Sequence, residues 1–176
     1  ILNGAARVDA EHFHPKYQRL REQLKRLGAA KIGDFCSVPN RGVQPLFVPE
    51  GDVLVLASKA IRPQGVTPDE EARTTKSFLI DPANEKARVR YGDVLLNSTG
   101  VGTLGRATFY LSDTPAIADN HVAIFRPNEA VCHPVYLSLF LNSPAGIAQS
   151  EMFQTGSSGQ LEIYPQHIRE IEVFLP

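Results

Sequence analysis

The sequence predicts an α+β domain: a twisted mixed or antiparallel β-sheet with one helix near the N-terminal side and two helices late in the chain. Three observations carry this reading. A stretch with apolar residues at three- and four-residue steps lies near the start. A series of short apolar runs, split by Gly, Pro, Asp and Asn, fills the middle. Longer apolar stretches of helical character return only after Pro134.

The first helix opens at His14-Pro15-Lys16, because proline suits the first helical position. Tyr17, Leu20, Leu24 and Leu27 form its apolar stripe, and Gly28 is placed for a left-handed cap. Its other face carries Lys16, Arg19, Arg21, Lys25 and Arg26, either a solvated surface or a phosphate contact. From Lys31 onward the runs shorten to strand length: Val53–Ala57, Ser77–Ile80, Arg88–Arg90, Asp93–Leu96, Thr108–Leu111 and His121–Phe125. Pro63–Thr75 reads as a polar loop. The segment from Val135 to Leu141 is too uniformly apolar for a surface helix and is expected in the core. Asn142-Ser143-Pro144 breaks it, and a second short helix follows to Phe153. A polar loop at Thr155–Gly159 and a closing strand at Ile171–Leu175 complete the chain.

The length of 176 residues suits one domain, with residues 1–30 as an N-terminal segment and helix and 31–176 as the domain proper. Hydrophobic content of 43% and charged content of 21% are those of a globular protein that needs no metal or disulfide to fold. No apolar run approaches the roughly 20 residues that span a bilayer. Cys36 and Cys132 form no recognisable pair, which favours a reduced, cytoplasmic setting. The chain starts at Ile1 and stops at Pro176 after an apolar run, so it reads as part of something longer. A net charge of −1 argues against a strongly basic nucleic-acid coat. The distribution is uneven: residues 59–106 hold eight Lys/Arg against six Asp/Glu, and residues 107–176 hold two against seven.

Catalytic signatures are missing. Gly100-Val101-Gly102-Thr103-Leu104-Gly105 lacks the Lys-Ser/Thr ending of a phosphate loop, and Arg106–Leu111 reads as strand where a dinucleotide fingerprint needs a helix. A tight hairpin whose glycines let backbone approach a ligand fits better. Asp119-Asn120-His121 is either an Asx turn or an oriented base, but no Ser or Cys nucleophile motif accompanies it. His12-Phe13-His14 and Cys132-His133 lack zinc-ligand spacing, so no metal site is expected. Neither the Pro-Pro-aromatic loop of amino-methyltransferases nor a convincing metal-dependent nuclease pattern occurs.

Several segments, in order, resemble a known family: Arg7-Val8-Asp9-Ala10-Glu11-His12-Phe13-His14-Pro15-Lys16-Tyr17; Gly92-Asp93-Val94-Leu95-Leu96; Gly102-Thr103-Leu104-Gly105-Arg106; Asn120-His121-Val122; Thr155-Gly156 with Gly159-Gln160; and Ile168 with Ile171–Pro176. Together they resemble the target-recognition domain of type I restriction–modification DNA specificity subunits, or the equivalent domain of a fused adenine-specific DNA methylase/endonuclease. The resemblance implies a DNA methylase specificity domain-like fold and sequence-specific recognition of double-stranded DNA without catalysis. It also implies methyltransferase and restriction subunits, or fused catalytic domains, as partners. Any S-adenosylmethionine is expected in the methylase, so this chain is expected to hold no cofactor.

The resemblance does not name the contacting side chains; donor and acceptor chemistry on loops supplies candidates. These are Lys59, Arg62, Arg73 and Lys76 in the central region, and Ser98, Thr99, Thr103 and Arg106 around the glycine hairpin. Ser157, Ser158 and Gln160 come from the late loop, with Asn120 and His121 beside them. Two other classes stay open: a β-rich protein- or glycan-binding module working through the acidic half, and a hydrolase centred on Asp119 and His121.

Overall fold

The computed structural model describes residues 12–156 and 160–175. Ser157, Ser158 and the family-like segment Arg7–Glu11 lie outside the described residues. In chain order the elements are α1 (Pro15–Arg26), β1 (Ala30–Lys31), α2 (Ile32–Phe35), β2 (Asn40–Arg41), β3 (Val53–Leu56), β4 (Ile61–Arg62), β5 (Gly65–Val66), β6 (Arg73–Thr74) and α3 (Lys76–Ile80). Then follow β7 (Arg88–Val89), β8 (Asp93–Asn97), β9 (Ala107–Tyr110), β10 (Ala116–Ala118), β11 (Val122–Phe125), α4 (Pro134–Leu141), α5 (Pro144–Phe153), α6 (Pro165–Ile168) and β12 (Glu172–Val173). Helix and sheet are mixed as the α+β expectation requires.

The strands form two four-stranded sheets, with orders β6-β3-β10-β7 and β2-β11-β8-β9, plus the two-stranded pairs β1-β12 and β4-β5. Side chains alternate across each strand, so each four-stranded sheet has two faces to bury. Leu54 and Leu56 of β3 and Ala116 and Ala118 of β10 meet Leu95, Val122 and Ile124 of the second sheet. Val53, Val55 and Ile117 point the other way, against Phe78, Leu79 and Ala87. On the far side of the second sheet, Val94, Leu96, Ala123 and Phe125 pack against Leu137, Leu141, Met152 and Phe153 of α4 and α5. The order of layers is therefore short helix, sheet, sheet, helices. Strands buried on both faces read as unbroken apolar runs, which is why Val53–Leu56 and Val122–Phe125 show no polar alternation.

Helix α1 forms where expected. The Lys16 amide donates to His14 Nδ1 at 3.2 Å, and Gly28 takes φ +72° past the last turn. Tyr17 and Leu24 are buried, but Leu27 is 61% exposed, because it caps the helix instead of continuing its stripe.

Three expectations need correction. Ser77–Ile80 is helical, not a strand: Thr75 Oγ1 accepts from the Phe78 amide at 3.1 Å and starts a single turn whose partly buried Phe78 and Leu79 cover the first sheet. Ala116–Ala118, which falls between the apolar runs expected as strands, is a strand at the centre of the first sheet, parallel to β3 and antiparallel to β7. Its small residues carry little β signal, and its flanking Pro115 and Asp119 resemble turn residues. Helix α4 is not wholly core, since Leu139 is 56% exposed.

Strands β3, β8 and β10 end, and β9 and β11 begin, at one end of the molecule. Gly42 ties the two sheets together there. Its amide donates to the Val122 carbonyl at 3.0 Å, and the next amide, of Val43, donates to Ala118 at 3.2 Å. A Cβ on Gly42 would stand 2.2 Å from the backbone oxygens of both Ala118 and Asp119. Gly42→Ala should therefore lower unfolding free energy by about 2 kcal/mol or more, read from urea denaturation; an unchanged midpoint would show that this crossing is loose.

Candidate nucleic-acid interface

The end where these strands turn carries a polar cleft of about 450 Å³, lined by Ser58, Thr99, Gly100, Thr103, His121, Gln160, Leu161 and Glu162. Four of the sequence candidates, Thr99, Thr103, His121 and Gln160, meet here from three separate segments.

Backbone pairing assembles the cleft. Beyond β8, Ser98 N donates to His121 O at 2.9 Å, Gly100 N to Leu161 O at 3.0 Å, and Ile163 N to Ser98 O at 2.8 Å. The late segment thus lies along the root of the glycine loop, with Thr99 bridged to Glu162. The loop closes through Gly105 N to Asn97 O at 2.9 Å and Arg106 N to Thr103 O at 3.1 Å. Gly105 takes φ +78° and sits where a Cβ would lie 2.6 Å from Ser150 Cβ, so this glycine lets the loop seat on α5. Asn97, fully buried, donates its side-chain amide to Ser58 O at 3.1 Å and draws the Ser58–Ala60 turn to the rim.

Within the cleft, Thr99 Oγ1 lies 2.6 Å from His121 Nδ1. This contact orients the exposed imidazole. Asp119 does not orient the ring in the manner of a catalytic acid: its Oδ1 accepts from the His121 backbone amide at 2.9 Å, an Asx turn. Burial pushes the Asp119 carboxyl above the usual range, and the His121 amide offsets this only in part. Ser98 is buried and donates its hydroxyl to the His121 carbonyl at 3.0 Å, supporting the cleft from beneath. Asn120 is half-buried in the same turn.

Arg41 holds the late segment in place, and sequence reasoning missed it. Its Nη2 donates to Glu162 Oε2 at 3.0 Å and to the Ile163 carbonyl at 3.2 Å, and its guanidinium lies 5.2 Å from the Tyr164 ring centroid. The Tyr164 hydroxyl and Arg41 together hold the Glu162 carboxyl below its ordinary range. No local signal joins residues 121 positions apart.

The cationic candidates divide. Arg106 lines an adjoining hollow with Pro63, Thr103, Asn142 and Ile147, and Arg62, next to Pro63, is exposed on β4. Lys59 follows Ser58 at the rim but is paired with Asp69. Arg73 and Lys76 are elsewhere. Thr74 is opposite Val53 at the start of β3, and Lys76 Nζ lies 3.9 Å from Asp52, whereas Ser58 is beyond the other end of that strand. At about 3.3 Å per residue, that puts them on the order of 15–20 Å from the cleft. Arg73 is also bonded to Glu70, through Nε to the carbonyl at 2.7 Å and Nη2 to the carboxylate at 2.5 Å. Among the described residues, no group of three His, Cys, Asp or Glu can hold a metal ion, and no helix is long and apolar enough to cross a membrane.

No family model matches the sequence, and no curated protein matches it. Solved structures do. The type I restriction–modification S subunit from M. genitalium aligns over 82% of this chain and 33% of its own, at 15% identity and a TM-score of 0.51. A structure of the assembly and conformational transition of a type I system aligns over 94% and 45%, at 14% identity and 0.58. The HsdS subunit from Thermoanaerobacter tengcongensis aligns over 88% and 41%, at 13% identity and 0.51. The chain thus spans between a third and a half of the chains it matches, and it has the target-recognition-domain fold of type I S subunits.

The raised Asp119 carboxyl sets a pH dependence. A group protonated more readily in the folded state takes up a proton on folding, so its effect costs stability as pH rises from the unfolded value near 3.9 through the folded one. Asp119→Asn keeps an acceptor for the His121 amide and should gain stability relative to the parent as pH rises from about 3 to about 6. Parallel urea midpoints across that range would show that the carboxyl is solvated.

Proposed function

We propose, from a chain that carries the fold of type I restriction–modification S subunits, that it recognises a short sequence in double-stranded DNA and leaves the chemistry to other polypeptides. The observation that carries this is the convergence of Thr99, Thr103, His121 and Gln160 on one cleft, with Arg62 and Arg106 beside it. The amide and imidazole offer the donors and acceptors that base edges require, and the two arginines offer phosphate contacts. The Thr99 hydroxyl meets the His121 ring, but the Asp119 carboxylate meets a backbone amide and does not orient the imidazole as a base, which favours holding over turnover. Methyltransferase and restriction subunits, or catalytic domains of the same polypeptide, are the partners this reading implies. S-adenosylmethionine belongs to the methylase, in a cytoplasmic setting.

A single module contacts only part of a target, so affinity is expected to be modest without the effective concentration a second module supplies. Phosphate and base contacts have separable signatures. Arg106→Ala should weaken binding to all duplexes and reduce the slope of log K against log salt by about 0.9. His121→Ala and Gln160→Ala should instead relax preference at individual base pairs, each by about 1–3 kcal/mol, as read from selection out of a randomised duplex pool. Loss of affinity in these two variants with an unchanged selected sequence would remove them from base reading, and an unchanged slope would remove Arg106 from the interface.

A further inference from the structure

A second cleft lies at the opposite end of the sheets from the glycine loop and contains none of the residues discussed above as DNA contacts. Its volume is about 610 Å³. Four cationic side chains line it: Lys86 from the turn before β7, Arg88 on β7, Arg90 just after it, and Arg126 after β11. Only two carboxylates, Glu85 and Asp93, lie among them.

The pairing leaves an excess of positive charge. Glu85 is shared: Arg88 Nη1 donates to one oxygen at 2.5 Å and Arg90 donates to the other. Hydrogen bonding from Arg88 first, and the charge of both arginines, hold the Glu85 carboxyl below its ordinary range. Asp93 is buried, accepts from the Arg90 amide at 2.7 Å, and faces Arg126 Nη2 at 2.7 Å. Arg126 Nε is shut off from solvent and has no acceptor. Lys86 is exposed and makes no hydrogen bond or ion pair among the described residues. Four cations against two anions in one concavity give a local charge of about +2 on a chain whose net charge is −1.

Ordinary surface pairing would match each guanidinium with its own carboxylate. Here two arginines converge on one carboxylate, so each keeps N–H donors not used by Glu85, and guanidinium forks suit tetrahedral oxyanions. The surrounding wall is uncharged, with Ser37, Asn40 and Asn128 beside apolar Phe35, Val38 and Ile124, so nothing else in the cleft repels an anion. We propose that this cleft binds phosphate groups, as a site separate from the polar cleft. The phosphate is either a diester of a nucleic-acid backbone or a free phosphate or pyrophosphate group. The site does not depend on the DNA-reading proposal, because its residues lie at the other end of the strands.

The test titrates the whole chain with sodium pyrophosphate at constant ionic strength, following amide and arginine Nε–H resonances, then repeats the titration with a non-target duplex competing. Arg90, Arg126 and Lys86 should shift together, while Thr103 and His121 stay still on pyrophosphate addition. The double variant Lys86→Gln, Arg90→Gln alters two exposed side chains, and it should weaken binding roughly tenfold. Glu85→Gln removes the competing carboxylate and should tighten binding, a change of sign that misfolding would not produce. Displacement of pyrophosphate by the duplex assigns the site to a phosphodiester backbone; binding without displacement assigns it to free phosphate. No shift at Arg90 and Arg126, or equal affinity in parent and double variant, would overturn the proposal.

Discussion

Everything in this molecule depends on burying both faces of two four-stranded sheets at once. The first sheet presents Leu54, Leu56, Ala116 and Ala118 to the second, and Val53, Val55 and Ile117 to a short helix. The second sheet returns Leu95, Val122 and Ile124 and turns Val94, Leu96, Ala123 and Phe125 towards α4 and α5. With both faces of the central strands occupied, the glycine-loop cleft and the arginine-lined cleft lie at the ends of the strands, where the backbone turns. A one-residue slip in β8 or β11 would exchange the two sets of side chains, so the register is strongly specified, and with it the positions of the loops.

The two ends differ in chemistry. At one, backbone pairing brings the glycine loop, the Asp119–His121 turn and the late segment together around hydroxyl, imidazole and amide groups, with the Glu162 carboxylate paired to Arg41. Arg41 and Ser98 do not face the ligand space but fix the segments that do. At the other end, arginines outnumber carboxylates. A polar concavity with oriented side chains suits discrimination, whereas a cationic one suits any oxyanion; the two clefts lie about one strand length apart.

Much of this was legible in the sequence, for identifiable reasons. Strands buried on both faces appear as apolar runs bounded by breakers, so β3, β8, β9 and β11 could be read directly. The glycine loop was recognisable as a hairpin because the residues after it, Ala107–Tyr110, have strand character. Short elements were not legible. Ser77–Ile80 is one helical turn whose apolar residues suit either state, and Ala116–Ala118 has too little side chain to show β preference. Among the candidates, Thr99, Thr103, His121 and Gln160 shared a cleft because each flanked a turn at the same strand end. Arg73 and Lys76 resembled them in charge, but Arg73 lies on the antiparallel strand β6, which ends at the far end, and Lys76 begins the helix that follows it. Arg41 and the Lys86–Arg90 group were invisible because their partners are distant in sequence or their role arises only from convergence.

Under the proposed function, the glycine-loop end, and not the central basic segment, faces the bases. Site-specific photo-crosslinking tests it most directly, with a photoreactive residue in place of Thr103 in one protein and of Lys76 in another, each mixed with a duplex selected from a random pool. Crosslinks to base positions within the selected sequence are expected from position 103, and none to bases from position 76. Equal base crosslinking from both positions, or crosslinking from position 76 alone, would contradict it.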